Sequence, residues 1–129
     1  MPRPIVSISK SFTFDSSHML EKAPDGHKCK RLHGHTYKVE VECKGPVDPN
    51  FGWLVDYDYL SDMVKPVIAQ LDHYHLNDIE DLEWTTTEEI AVWFWKHLKS
   101  KIPSLYRISI FETPDNRCDF FGEYESGRS

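Results

Sequence analysis

The sequence predicts an α+β fold, a four-stranded antiparallel sheet with two helices on one face, in the order strand, strand, helix, helix, strand, strand. Two observations carry this. Four runs alternate apolar and polar residues, two early and two late in the chain, and the middle holds two stretches with helical spacing. In the first strand, residues 5 to 15, Val6, Ile8, Phe12 and Phe14 share one side, while Ser7, Ser9, Ser11, Thr13 and Asp15 take the other. Residues 16 to 34, with Pro24, Asp25 and Gly26, read as a loop. In the second strand, 35 to 44, Tyr37, Val39, Val41 and Cys43 oppose Thr36, Lys38, Glu40, Glu42 and Lys44. A long Gly- and Pro-rich turn follows, from Gly45 to Gly52.

From Leu60 the apolar residues Leu60, Met63, Val64, Val67, Ile68 and Leu71 recur on one helical face. Pro66 interrupts it; an interior proline costs about 3 kcal/mol, which predicts a kink or a late start. The second helix is announced by Thr85, Thr86 and Thr87, with Thr86 and Glu89 at capping-box spacing. Its buried stripe is Ile90, Ala91, Phe94, Leu98 and Ile102, and Pro103 stops it. Trp93 and Trp95 flank the stripe as packing or interface residues. Runs 106 to 113 and 117 to 124, separated by Pro114, Asp115 and Asn116, read as a hairpin.

A chain of 129 residues, 40% hydrophobic, suffices for one core and not for two domains, so a single domain over 1–129 is expected. No stretch approaches the roughly 20 apolar residues of a membrane span, and no signal-peptide core precedes the first strand. Three widely spaced cysteines, Cys29, Cys43 and Cys118, disfavour a disulfide framework. A soluble, cytoplasmic protein is the expectation. The net charge of −6 argues against a nucleic-acid surface. The one basic concentration, Lys28, Lys30 and Arg31, suits a small anionic ligand or is a solvated loop. A sheet with two open edges favours oligomerisation, although blunted edges would also serve.

His33 and His35 extend the apolar row of the second strand, and His18 extends that of the first if the strand runs so far. Three histidines without a cysteine pair match an open zinc site, which keeps a position for water or substrate. Cys29 lies four residues before His33 among cations that favour its thiolate; it reads as the reactive group or as a fourth ligand. Asp72 beside His73 suits proton transfer, or alternatively a helix C-terminus with a cationic imidazole. Glu112 shares the parity of Tyr106, Ile108 and Ile110, so its carboxylate faces the apolar side and needs a partner. Two parallel N–H donors of a heterocycle would satisfy it, as would an internal Arg or Lys.

Taken together, Cys29-Lys30-Arg31-Leu32-His33-Gly34-His35, Phe14-x-x-x-His18, Leu71-Asp72-His73-x-x-Leu76-Asn77, Thr86-Thr87-Glu88 and Glu112-Thr113 resemble the 6-pyruvoyl-tetrahydropterin synthase family over about residues 8 to 122. Within it, the Cys-x-x-x-His-Gly-His spacing resembles the bacterial 6-carboxy-5,6,7,8-tetrahydropterin synthases. The resemblance implies a tunnelling (T-fold) subunit assembling into trimers and commonly hexamers. It implies zinc on His18, His33 and His35, Cys29 as general base, Asp72 and His73 as its proton relay, and Glu112 as pterin anchor assisted by Thr86 and Thr87. The implied substrate is 7,8-dihydroneopterin triphosphate. The implied products are 6-carboxytetrahydropterin, acetaldehyde and triphosphate, on the route to queuosine and other 7-deazapurines. Lys28, Lys30 and Arg31 are candidates for the triphosphate, in this subunit's site or in a neighbouring one's.

The nearest rival is a 6-pyruvoyltetrahydropterin synthase, which retains the side chain. A zinc or cysteine hydrolase is disfavoured because no Gly-x-Ser-x-Gly is present. A non-catalytic, metal-stabilised binding module is the third reading.

Overall fold

The computed structural model describes residues 1–126. Strands β1 (Ile5–His18), β2 (His33–Pro46), β3 (Leu105–Thr113) and β4 (Asn116–Phe120) form one antiparallel sheet in the order β1-β2-β3-β4, with helices α1 (Tyr57–Ile68) and α2 (Thr87–Leu98) between β2 and β3. This is the predicted order. The core lies between one sheet face and the helices. Phe14, Tyr37, Val39, Val41, Cys43, Ile108 and Ile110 from the sheet meet Leu60, Val64 and Val67 of α1 and Ile90, Phe94 and Leu98 of α2. No helix among the described residues is long and apolar enough to cross a membrane.

The opposite sheet face is polar. There Arg107 donates to Glu40 at 2.7 Å, to Glu42 at 2.5 Å and to Ser109, so a nearly buried guanidinium is matched by carboxylates on the neighbouring strand. Such pairing removes most of the penalty of burying a charge.

Several boundaries differ from the sequence reading. Strands β1 and β2 are longer than expected and pair through to His18 opposite His33, so both rows do end in imidazoles. Helix α1 does not start late: Asp56 caps it, accepting from the Asp58 N–H at 2.9 Å, and Pro66 sits in its last turn. The bond it forfeits is its own, to the Asp62 carbonyl, and both residues are on the exposed side of the helix, where water can serve that carbonyl. Helix α2 begins as its capping box predicts, with the Thr86 hydroxyl accepting from the Glu89 N–H at 3.3 Å. It ends at Leu98, and Ile102 reaches the core from the following turn. Trp93 is a packing residue, 2% exposed, whose indole N–H donates to Asp81 at 2.8 Å.

Tyr106 does not share the apolar side. An irregularity opposite Glu42 and Cys43 pairs Cys43 with Leu105, so Leu105 is buried and Tyr106 faces out. An extra residue in one strand inverts parity beyond it. Strand β4 stops at Phe120 rather than 124. Gly122 has φ +75° and packs against the Trp95 ring, where a Cβ would lie 2.3 Å from the nearest ring carbon. That backbone state breaks a strand and admits no side chain.

Candidate metal centre and its flanking clefts

The sheet register sets the three histidines. His18 and His33 are direct cross-strand partners, and His35 lies two residues along β2 on the same face. Their rings form a triangle with centroids 4.5, 4.9 and 5.3 Å apart. One ligand nitrogen from each lies within 4.8 Å of the others.

Two of the rings are oriented by backbone carbonyls. His18 Nδ1–H donates to the Thr85 carbonyl at 2.8 Å, and His33 Nδ1–H donates to the Arg31 carbonyl at 2.7 Å. A carbonyl only accepts, so both rings carry a proton on Nδ1 and turn Nε2 toward the centre of the triangle, the arrangement that metal-ligating histidines adopt. His35 Nε2 is buried and has no hydrogen-bond partner. Burial pushes His18 and His35 below the ordinary histidine range, holding them neutral. A buried ring nitrogen left unpaired is costly, and a cation at the centre of the triangle would remove that cost. The three side chains therefore fit a metal with N-donor preference, with a position left open.

Glu112 sits where β3 pairing with β4 skips a residue between Phe111 and Thr113. Its carboxylate keeps the parity of the buried Ile108 and Ile110, which puts it on the face of the histidines. Its Oε2 lies 3.6 Å from His35 Nε2 and 3.8 Å from His18 Nε2. No Arg or Lys pairs with it among the described residues, so an internal cation is not its partner. Below the triangle the Tyr37 hydroxyl, fully buried, lies 3.4 Å from His18 Nε2, and burial raises the phenol far above its ordinary range. It stays protonated.

Cys29 occupies a single 3-10 turn, Lys28–Lys30, and is held at both backbone atoms. His27 Nδ1 accepts from the Cys29 N–H at 3.1 Å, and the Cys29 carbonyl accepts from the Leu20 N–H at 2.8 Å, two residues beyond His18. The loop is thereby tied to the end of β1. Cys29, His33, His35 and Glu112 line one open cleft of about 710 Å³, together with Lys28 and Arg31. Cys29 is outside the group whose ligand atoms converge, so the fourth-ligand alternative finds no support.

Asp72 and His73 lie elsewhere in the molecule. They follow α1, and the segment 71–77 is laid along the end of β1 by a series of hydrogen bonds. The Asp15 N–H donates to Asp72 Oδ1 at 2.9 Å, the His73 N–H donates to the Asp15 carbonyl at 2.6 Å, and the Ser16 hydroxyl donates to the Leu71 carbonyl at 2.6 Å. Asn77 closes the series, pairing with both backbone groups of Met19 at 2.8 and 2.9 Å. The Asp15 amide, with help from His73, holds the Asp72 carboxyl below its usual range. His73 takes φ +65°, a left-handed turn, and its ring Nδ1 lies 3.1 Å from Asp72 Oδ1. His73 lines a second cleft with Asp15 and Tyr74, which meets the Cys29 cleft only at Gly34 and His35. Thr86 is spent as the α2 cap and Thr87 bonds Glu88 at 3.0 Å; Thr86 lines a third, smaller hollow beside Trp84. Neither threonine shares the cleft of Glu112.

Sequence reasoning had no means of naming the Thr85 and Arg31 carbonyls, since a backbone acceptor leaves no residue-type signal. His27 was legible in principle, because an imidazole two residues before a short turn can cap it.

The model of the 6-pyruvoyl tetrahydropterin synthase family matches residues 7–123. The chain is 32% identical over 120 residues to the 6-carboxy-5,6,7,8-tetrahydropterin synthase of Synechocystis, covering 88% of this chain and 92% of that protein. It is 30% identical over 141 residues to the 6-pyruvoyl tetrahydrobiopterin synthase of Drosophila melanogaster, covering 95% and 83%. The structure of Caenorhabditis elegans 6-pyruvoyl tetrahydropterin synthase superposes with a TM-score of 0.87 at 29% identity, covering 95% of this chain and 99% of that one. Relatives of both names thus match at comparable identity. The matched span takes in both helices, the three histidines and Glu112, and the chain belongs to the 6-pyruvoyl tetrahydropterin synthase family.

Proposed function

We propose that the chain is a zinc-dependent 6-carboxy-5,6,7,8-tetrahydropterin synthase, converting 7,8-dihydroneopterin triphosphate to 6-carboxytetrahydropterin, acetaldehyde and triphosphate in 7-deazapurine biosynthesis. The observation that carries this reading is the short Cys29-x-x-x-His33-Gly34-His35 segment, which puts a thiol and two metal-type imidazoles in one cleft with Glu112. Zinc held by His18, His33 and His35 would supply Lewis acidity to the oxygens of the substrate side chain.

The protein groups do the rest. The Glu112 carboxylate accepts two N–H donors from the amino-pyrimidine edge of the pterin, which orients the ring and gives the charge its partner. Cys29, as thiolate, takes a proton from the side-chain carbon beside it. Thr86 and Thr87 lie outside the Glu112 cleft of their own copy, so they assist ring anchoring from a second copy, through backbone groups since the Thr86 hydroxyl is committed to its cap. Asp72 and His73 relay protons, and because they border a different cleft of the same subunit, the relay acts on a Cys29 supplied by a second copy.

The second reading is a 6-pyruvoyltetrahydropterin synthase, favoured by relatives such as the Drosophila melanogaster protein. The two outcomes share elimination of triphosphate. They differ by one water and one carbon–carbon cleavage, since the pyruvoyl product plus water has the composition of the carboxy product plus acetaldehyde. Zinc-loaded protein incubated with 7,8-dihydroneopterin triphosphate should release acetaldehyde with 6-carboxytetrahydropterin, as read by mass spectrometry. A 6-pyruvoyl product without acetaldehyde moves the chain to the second reading.

A further inference from the structure

We infer that Lys28 and Arg31, without Lys30, form a subsite for the polyphosphate end of the substrate. This rests on the pterin triphosphate reading for the rest of the molecule, but the observations that carry it concern the three cations themselves.

The first is geometric. The Arg31 N–H donates to the Lys28 carbonyl at 3.2 Å, a 3-10 hydrogen bond. With three residues per turn, positions i and i+3 eclipse each other, so Lys28 and Arg31 leave the turn on the same side. That side is the cleft of Cys29, His33, His35 and Glu112, and both residues line it. Lys30 does not line it. Its ammonium is drawn off to Asp25, 2.5 Å away.

The second is electrostatic. The chain carries 21 acidic residues against 15 Lys and Arg, yet neither Lys28 nor Arg31 pairs with a carboxylate among the described residues. Two like charges standing side by side at a cleft mouth repel each other, and a polyanion bridging them relieves the repulsion. A guanidinium and an ammonium also divide the task, the first gripping two phosphate oxygens at once and the second following the chain as a point charge.

The third is the polarity of the cleft. Glu112, its one carboxylate, stands beside the histidine triangle, and the cation pair belongs to the turn that carries Cys29. A ligand with N–H donors at one end and negative charge at the other can enter in one direction only. Cys29 and the histidines then face its middle, where the side-chain carbons and hydroxyls of a pterin triphosphate lie.

The test uses zinc-loaded full chain with Cys29→Ala, to prevent turnover, and equilibrium binding of 7,8-dihydroneopterin and of its triphosphate. The triphosphate should bind more tightly by about tenfold or more, the scale expected of two charge-assisted contacts at an exposed site. Adding Lys28→Ala and Arg31→Ala should erase that advantage and leave dihydroneopterin affinity unchanged, whereas Lys30→Ala should keep it. An advantage that survives the double change, or that Lys30→Ala abolishes equally, overturns the subsite. If neither pterin binds the parent, the pterin reading fails and inorganic tripolyphosphate becomes the probe, with zinc content checked afterwards. Tripolyphosphate binding that the double change abolishes still upholds the cation pair, and no binding to the parent overturns it.

Discussion

On one side of Gly34 and His35 lie Lys28, Cys29 and Arg31; on the other lie Asp15 and His73, with Asp72 behind them, bonded to the Asp15 amide and 3.1 Å from the His73 ring. Both groups offer charged and titratable side chains, but they differ in what those side chains already hold. The Cys29 turn is anchored through backbone atoms and the ring of His27, which leaves the thiol and two cations uncommitted. The Asp72 segment is anchored through its functional side chain, since the carboxylate itself accepts from the Asp15 amide. A cleft whose backbone bears the structural load can spend its side chains on a ligand. One whose carboxylate bears that load can contribute only what remains, here chiefly the exposed His73 ring.

The largest effect should come from the strand end the two clefts share. His35→Ala removes the one ring nitrogen that, among the described residues, is buried without a partner, and a three-ligand zinc site does not survive the loss of a ligand. Elemental analysis should find bound zinc lost and turnover with it. Zinc should also raise the Tm of the wild type and not of the variant, because only a folded-state site couples binding to stability. A full zinc equivalent in His35→Ala would remove this residue from the ligand set.

Next comes the contrast between the clefts themselves. Cys29→Ala should keep zinc and fold while turnover falls by roughly 10²–10⁴, the range of a lost general base. His73→Ala should also lose turnover if the relay is real. Mixing the two inactive proteins, after dissociation and reassembly, should restore part of the activity, because some interfaces then pair an intact Cys29 with an intact His73. No recovery from a mixture shown to have exchanged subunits would place the relay outside the mechanism.

Glu112→Gln should act more mildly. It replaces one acceptor of a charge-assisted pair with a donor, so the KM for the pterin should rise by about tenfold with zinc retained. Unchanged KM and kcat would take Glu112 out of the site.

How much of this the sequence discloses depends on the kind of signal each feature leaves. Parity in β1 and β2 discloses the histidine triangle, since register is strongly specified where one face of the sheet is buried. The α2 cap is legible for the same local reason. Parity misleads at Tyr106, where an irregularity opposite Cys43 inverts it, and that inversion depends on the partner strand. The docking of segment 71–77 along β1 is invisible, because it runs through backbone groups and through Ser16, Asp72 and Asn77, whose polarity looks like any loop. Asp72 therefore reads as a proton-transfer group or as an ordinary turn residue, and its tie to the Asp15 amide leaves no trace in the sequence.

That tie of Asp72 gives the smallest and most discriminating prediction. The Asp15 amide holds its carboxyl below the ordinary aspartate value of 3.8, so the folded state binds this proton less readily than the unfolded chain does. The stability it contributes is complete above the unfolded value and disappears as pH falls through the lower, folded one. Asp72→Asn keeps one oxygen for the Asp15 amide but no charge, so its Tm should lie slightly below wild type at pH 7. The gap should close as the pH falls below about 4, where the wild-type carboxyl also becomes neutral. Lys30→Ala, on the turn of the other cleft, leaves the Asp15 amide contact untouched and should not reproduce this gap. A pH-independent deficit in Asp72→Asn would mean that the amide contact depends on shape and not on charge. The contrast between a free cleft and a committed one would then rest on packing alone.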